Sequence, residues 1–185
     1  MLYTRKGDCG TTKTFGCDQR ISKSSAVAEA LGALDEANSF LGIIRADSLG
    51  LSFKINGQET KFPEIILEVQ QNLFIVQAEV AGSTLSITVE KVKGVENIVD
   101  EIEKVLPPIK NFFLSGATKL SATFDFARTL ARRAERRVVA AREESKIKVS
   151  DETMAYLNRL SSLLYALARI SSHLKGAEEI KPDYK

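Results

Sequence analysis

Apolar or small residues recur at Val27, Leu31, Leu34, Leu41 and Ile44, with Asn38 in the same row, which is the three- and four-residue step of one helix face. This predicts a helix from Ser25 to about Ser48, ended by Gly50. A second row (Ile66, Val69, Leu73, Val76, Val80) follows Pro63 in a first-turn position and stops before Gly82. Residues 51–62 between them read as a plain connection. Leu85–Val89 reads as a short extended or β-like piece. A modest helix is then expected from about Glu96 to Val105, stopped by Pro107 and Pro108. The longest helical pattern runs from about Thr118 to Glu144, with Leu120, Phe124, Ala127, Ala131, Ala134 and Val138 inward. The last starts at Ser150 as N-cap with Asp151 and Glu152 in its first turn, and turns Leu157, Leu160, Leu164 and either Leu167 or Ala168 inward to about Leu174. Residues 1–23 show no sustained period and read as a long loop, and polar residues 176–185 as a mobile tail.

Four long helices, one short one and almost no strand predict an all-α, up-and-down bundle in a single domain over residues 1–185. Apolar residues make up 44% of the chain, enough to close a core without disulfides or metal clips. The 26 basic and 24 acidic residues nearly cancel, so the net field argues against nucleic acid or an anionic membrane as partner. No run approaches the roughly 20 apolar residues of a membrane span, and the opening Met-Leu-Tyr-Thr-Arg-Lys-Gly lacks an apolar signal stretch, so a cytoplasmic protein is expected. Cys9 and Cys17 are too few for a disulfide scaffold and read as reduced bystanders.

Chemistry concentrates in two places. Arg128, Arg132 and Arg136 stand at i, i+4 and i+8 on the fourth helix, with Arg133 and Arg137 beside them. Such a row is either a solvated, ion-paired face with Glu135 among its partners, or a grip for a polyphosphate, since each guanidinium holds oxygens bidentately at any pH. The second is Thr4-Arg5-Lys6-Gly7-Asp8-Cys9-Gly10-Thr11-Thr12-Lys13, where glycines permit close backbone approach and threonines and lysines supply donors. Neither the Walker A nor the GxGxxG spacing is present, so the loop alone is an ordinary terminus or a polyanion cradle. Asp35 borders the apolar stripe of the first helix and needs a partner there, for which an arginine is suited. Asn158 reads as a buried capping amide or a nucleobase reader. Phe113 reads as a core residue. His173 is the only histidine, with Ile170 three residues before it, which excludes a di-metal site built from two Glu-x-x-His motifs. No metal site is expected from the chain's own side chains.

Four blocks then carry a resemblance to the PduO-type ATP:corrinoid adenosyltransferases: TRKGDCGTT, EALGALDEANSFLG, FFLSGATKLSATFDFARTLARRAERRVVAAREE and YLNRLSSLLYALAR, spread from Thr4 to Arg169. The resemblance implies a five-helix, ferritin-like bundle assembled as a homotrimer with sites between subunits. It implies an enzyme that moves the 5′-deoxyadenosyl group of ATP to the cobalt of reduced cobalamin, with Mg²⁺ on the triphosphate and a reductase as electron donor. On matching positions it makes Thr4, Arg5, Lys6, Gly7, Thr12, Lys13 and Lys23 the ATP loop, completed by Arg132, Arg133, Glu135, Arg136 and Asn158. Arg132 resembles the residue that steadies the departing triphosphate. Asp35 and Arg128 resemble a pair formed across a subunit boundary beside the corrin, and Phe112 the aromatic that displaces its lower ligand. Ser115-Gly116-Ala117, Asp125 and Ser24-Ser25 depart from the family pattern, the first two on the corrin side. Two rivals stand beside this reading: a helical module binding RNA or an acidic protein face, which lacks stacking aromatics in its arginine row, and a phosphotransferase, which lacks a P-loop.

Overall fold

Five helices form in chain order: α1 (Ala26–Asp47), α2 (Phe62–Val80), α3 (Val89–Val105), α4 (Lys119–Glu144) and α5 (Asp151–His173). They belong to a computed structural model that describes residues 3, 5–14, 20–55, 57–145 and 147–185. The helix starts follow local chemistry. Ser25 caps α1 by accepting from the Ala28 amide, and Ser150 caps α5 by accepting from Thr153. Thr118 and Ser121 form a reciprocal capping box at α4, which fixes where the arginine row begins. At the end of α2, Gly82 takes φ +101° while its amide donates to Glu79 and that of Ser83 to Ala78, a Schellman stop.

α4 packs between α1 and α5, with α2 on the far side of α1 and α3 against α5. Leu34, Leu41 and Ile44 of α1 meet Ile66, Leu73 and Val76 of α2, Phe124, Ala131 and Val138 of α4, and Leu157, Leu160 and Leu164 of α5 in one core. Fully burying each large side chain contributes about 1.5–3 kcal/mol. The alanines on the inner face of α4 let the helices approach closely and leave its outer face to the arginines. Glu79 of α2, buried beneath the start of α5, accepts from the Ser150 amide at 2.7 Å and the Thr153 hydroxyl at 2.5 Å. A carboxylate there satisfies the open donors of a helix N-terminus.

The predicted bundle is present, with differences in its connections. Residues 51–62 form a hairpin, β3 (Ser52–Ile55) on β4 (Gln58–Lys61), joined by two residues of sequence Asn-Gly. Phe53 anchors it against Phe62 with ring centroids 4.8 Å apart. The N-terminal loop likewise contains a short hairpin, β1 (Thr11–Lys13) on β2 (Arg20–Ser22). Leu85–Val89 is not a strand: α3 starts at Val89, seven residues earlier than the apolar pattern marked, because Val92 and Val95 are buried on its inner side. Residues 176–185, expected to be mobile from their polarity, lie against the bundle, where the Leu114 amide donates to the Ile180 carbonyl at 2.8 Å. Among the described residues no helix is long and apolar enough to cross a membrane.

Candidate active site

At about 100° per residue, Arg128, Arg132 and Arg136 step around the outside of α4 by about 40° each, with Arg133 and Arg137 further round. Contacts fix the direction of that sweep. Arg133 pairs with Glu36 and Arg137 approaches Glu29 at 3.9 Å, both on α1. At the other edge Glu135 accepts from the Asn158 amide at 3.1 Å, and Arg128 lies over the Tyr165 ring at 5.9 Å, both on α5. Arg132 and Arg136 are exposed between the two edges, Arg136 donating to the Arg132 carbonyl at 3.2 Å.

On the α1 edge the N-terminal loop closes a recess of about 680 Å³ lined by Thr12, Lys13, Lys23, Glu36, Arg133 and Arg137. Arg20 holds this loop in shape. Its guanidinium donates to the Thr11 hydroxyl and carbonyl, each at 2.7 Å, and to the Lys6 carbonyl at 2.5 Å. Lys23 is fixed by its amide, which donates to the Gly10 carbonyl at 2.9 Å, and its ammonium crosses over Gly7. A Cβ added at Gly7 would stand 3.1 Å from Lys23 Nζ, so the flexible end of the lysine would have to give by a few tenths of an ångström. Arg5 sits at φ +57°, a left-handed conformation unusual for arginine, of the kind that binding loops retain. Cationic side chains, threonine hydroxyls and exposed backbone in one concave surface fit a polyphosphate.

The α5 edge differs in character. A cavity of about 820 Å³ is walled by Phe112 and Phe113 from the α3–α4 loop, Asp125 and Arg128 of α4, Ser161 and Tyr165 of α5, and Tyr184 of the tail. Phe112 is 80% exposed and free to touch a guest, whereas Phe113 is half-buried beneath the Arg169 guanidinium, not a core residue. Arg128 Nε lies 3.4 Å from Asp125 Oδ1. Burial pushes the Tyr165 hydroxyl above the ordinary phenol range. This surface suits a guest with a broad apolar face and polar groups at its margin.

One chain therefore brings Lys13, Thr12, Lys23 and Arg133 together, and separately gathers Phe112 with Arg128. Arg132, Glu135, Arg136 and Asn158 do not line the recess with the loop: the first and third are exposed on the ridge between the edges, and Glu135 and Asn158 meet at the α5 edge. Asn158 is exposed and held between Glu135 and Arg159, which removes the buried-amide reading. Asp35 is exposed on α1 with no hydrogen-bond or ion-pair partner among the described residues, so it does not meet Arg128 within the chain. Thr4 lies outside the described residues. Sequence reasoning missed Arg20 and the tail wall, whose roles depend on contacts with distant segments. Among the described residues no group of three His, Cys, Asp or Glu side chains forms a metal site.

Comparison with known proteins bears on this geometry. A family model described as cobalamin adenosyltransferase matches residues 2–171. The corrinoid adenosyltransferase PduO of Citrobacter freundii is 39% identical over 179 residues, covering 93% of this chain and 50% of its own length. The corrinoid adenosyltransferase of Bacillus subtilis is 35% identical over 184 residues, covering 97% of this chain and 91% of its own. The chain thus spans about half the length of the PduO relatives it matches and most of the Bacillus protein. A variant PduO-type ATP:corrinoid adenosyltransferase from Lactobacillus reuteri complexed with cobalamin and ATP is similar with a TM-score of 0.86 at 26% identity, over 100% of this chain and 97% of that one. A second variant of that enzyme, complexed with ATP, gives 0.84 at 25% identity over 98% and 100%.

Proposed function

This chain belongs to the cobalamin adenosyltransferase family, and from that premise we propose that it transfers the 5′-deoxyadenosyl group of ATP to the cobalt of reduced cobalamin and releases triphosphate. The observation that carries the reading is the pair of unlike recesses flanking one arginine-lined helix, a cationic one sized for a nucleotide and an aromatic one sized for a corrin face.

The chemistry asks little of the protein beyond position and charge. Cob(I)alamin supplies the nucleophile: its cobalt forms a bond to C5′ of ATP as the C5′–O bond breaks and its electron pair leaves with triphosphate. Thr4, Arg5, Lys6, Gly7, Thr12, Lys13 and Lys23 hold the phosphates, and Arg132 with Arg133 and Arg136 stabilises the charge that builds on the leaving group. Glu135 and Asn158 fix the nucleoside end. Mg²⁺ travels with the triphosphate, bound mainly by its oxygens and water. Phe112 crowds the lower face of the corrin, disfavouring the axial base and so easing reduction of cob(II)alamin by an electron-donating reductase. An ATP-dependent reaction on a strongly reduced substrate fits the cytoplasm.

A homotrimer completes the site. Two facts support it: Arg132, Arg136 and Asn158 are exposed outside the recess that their own loop lines, and Asp35 lacks a partner among the described residues of its own chain. A neighbouring copy docked across α4 presents its loop to the first group and its Asp35 to Arg128.

The test is an anaerobic assay with ATP, cobalamin and a strong reductant, followed by its spectrum and phosphate products. Adenosylcobalamin with one equivalent of triphosphate is expected; ADP, or no adenosylcobalamin, overturns the assignment.

A further inference from the structure

Arg169 lies among apolar residues on the inner side of α5 and is only 6% exposed, yet it takes no part in the chemistry above. Its guanidinium grips Glu179 of the tail through Nε at 2.9 Å and Nη2 at 3.0 Å. Nη2 also donates to the Pro107 carbonyl at 3.1 Å, and the group lies 5.6 Å above the Phe113 ring. One side chain thus ties together the start of the loop that carries Phe112 and the tail that faces it. Phe113, Asp125 and Tyr165 line both the large cavity and the small pocket, about 20 Å³, in which Arg169 and Glu179 meet.

The tail has little else to hold it. Ile180 is 61% exposed and Tyr184 is 84% exposed, so apolar burial does not dock this segment. Beyond the end of α5, where the Ala177 amide donates to the Ser172 carbonyl at 3.1 Å, its placement among the described residues relies on the Arg169–Glu179 pair and the Leu114–Ile180 backbone bond. A buried ion pair is a weak source of stability but a strong source of register, because the planar fork accepts its partner in one orientation. The geometry points to Arg169 and Glu179 as a latch that positions the C-terminal segment and the Phe112 loop as opposite walls of the corrinoid cavity. They are positioning residues that act on corrinoid affinity and not on ATP. This inference rests on the adenosyl-transfer reading for the identity of the guest, and on the contacts alone for the latch.

Glu179→Gln keeps the shape of the side chain and removes its charge, and Arg169→Lys keeps the charge and loses the fork. Two readouts are taken on each. Hydrogen exchange of the Leu114 amide, which needs no substrate, is expected to quicken in both variants. Equilibrium binding of cob(II)alamin with ATP present is expected to weaken about tenfold, with ATP affinity within twofold of wild type. In a Tyr184→Ala background, where the wall is already cut back, Glu179→Gln should cost much less. Unchanged Leu114 exchange overturns the latch. Faster exchange with unchanged cob(II)alamin affinity, an equal loss for both substrates, or full additivity with Tyr184→Ala overturns the positioning role. A wild-type protein that binds no cob(II)alamin fails the functional reading instead, and the exchange arm then decides the latch by itself.

Discussion

The two edges of α4 solve different recognition problems with different materials. On the α1 edge the recess is made of a glycine-bearing loop, a hairpin of two three-residue strands and two arginines of α4 that face α1 carboxylates. On the α5 edge the cavity is walled by segments far apart in sequence, the 109–115 loop, the middle of α5 and the extreme tail. The first offers charge and backbone donors to a polyanion; the second offers rings and a buried clamp to a broad apolar face. The contrast is what the proposed group transfer asks of one helix. Its outer face turns gradually from charge on the α1 side to aromatic neighbours on the α5 side.

The sharpest way to break this division is Arg132→Lys, on the ridge between the edges. Charge is retained but the bidentate grip is lost, and kcat/KM should fall about a hundredfold. An unchanged kcat would make Arg132 a solvated surface residue and leave the ridge without a role. Phe112→Ala probes the aromatic side alone: turnover from cob(II)alamin with a mild reductant should drop about tenfold more than turnover from pre-formed cob(I)alamin, since cobalt(I) has already lost its lower ligand. Equal losses would reject the wedge. On the polar side, Gly7→Ala places a methyl group against Lys23 Nζ. The small shift this asks of the flexible lysine end should raise KM for ATP about twofold while corrinoid KM holds. A shift in corrinoid KM would show that the two recesses are not separable in this way.

The same contrast governs what the sequence made legible. The inner faces of α1, α4 and α5 were readable because burial repeats every three or four residues, and their ends because Ser25, Thr118 and Ser150 are good caps. The start of α3 was not, since its apolar positions are sparse and its first turn rests on tertiary contacts. The β3–β4 hairpin carried a readable Asn-Gly signal that its polar flanks obscured. Of the proposed site residues, the loop and the arginine row, each of which also fitted an ordinary terminus or a solvated face until the family resemblance was added, stood out by type and spacing. Arg20, Arg169 and the tail did not, because each acts through a segment that only folding brings near. Which edge each arginine faces also had to come from the structure, as adjacent Arg132 and Arg133 point about 100° apart.

Whether the two edges meet as one site between copies of the chain is decided by mixing. Asp35→Ala and Arg128→Ala proteins are unfolded together, refolded and assayed for adenosylcobalamin formation. In a mixed trimer some boundaries pair the intact Asp35 of one subunit with the intact Arg128 of the next, so those sites are whole, while others lack both partners. The account predicts activity clearly above the average of the two refolded variants. Activity equal to that average would place every site within a single chain and contradict it.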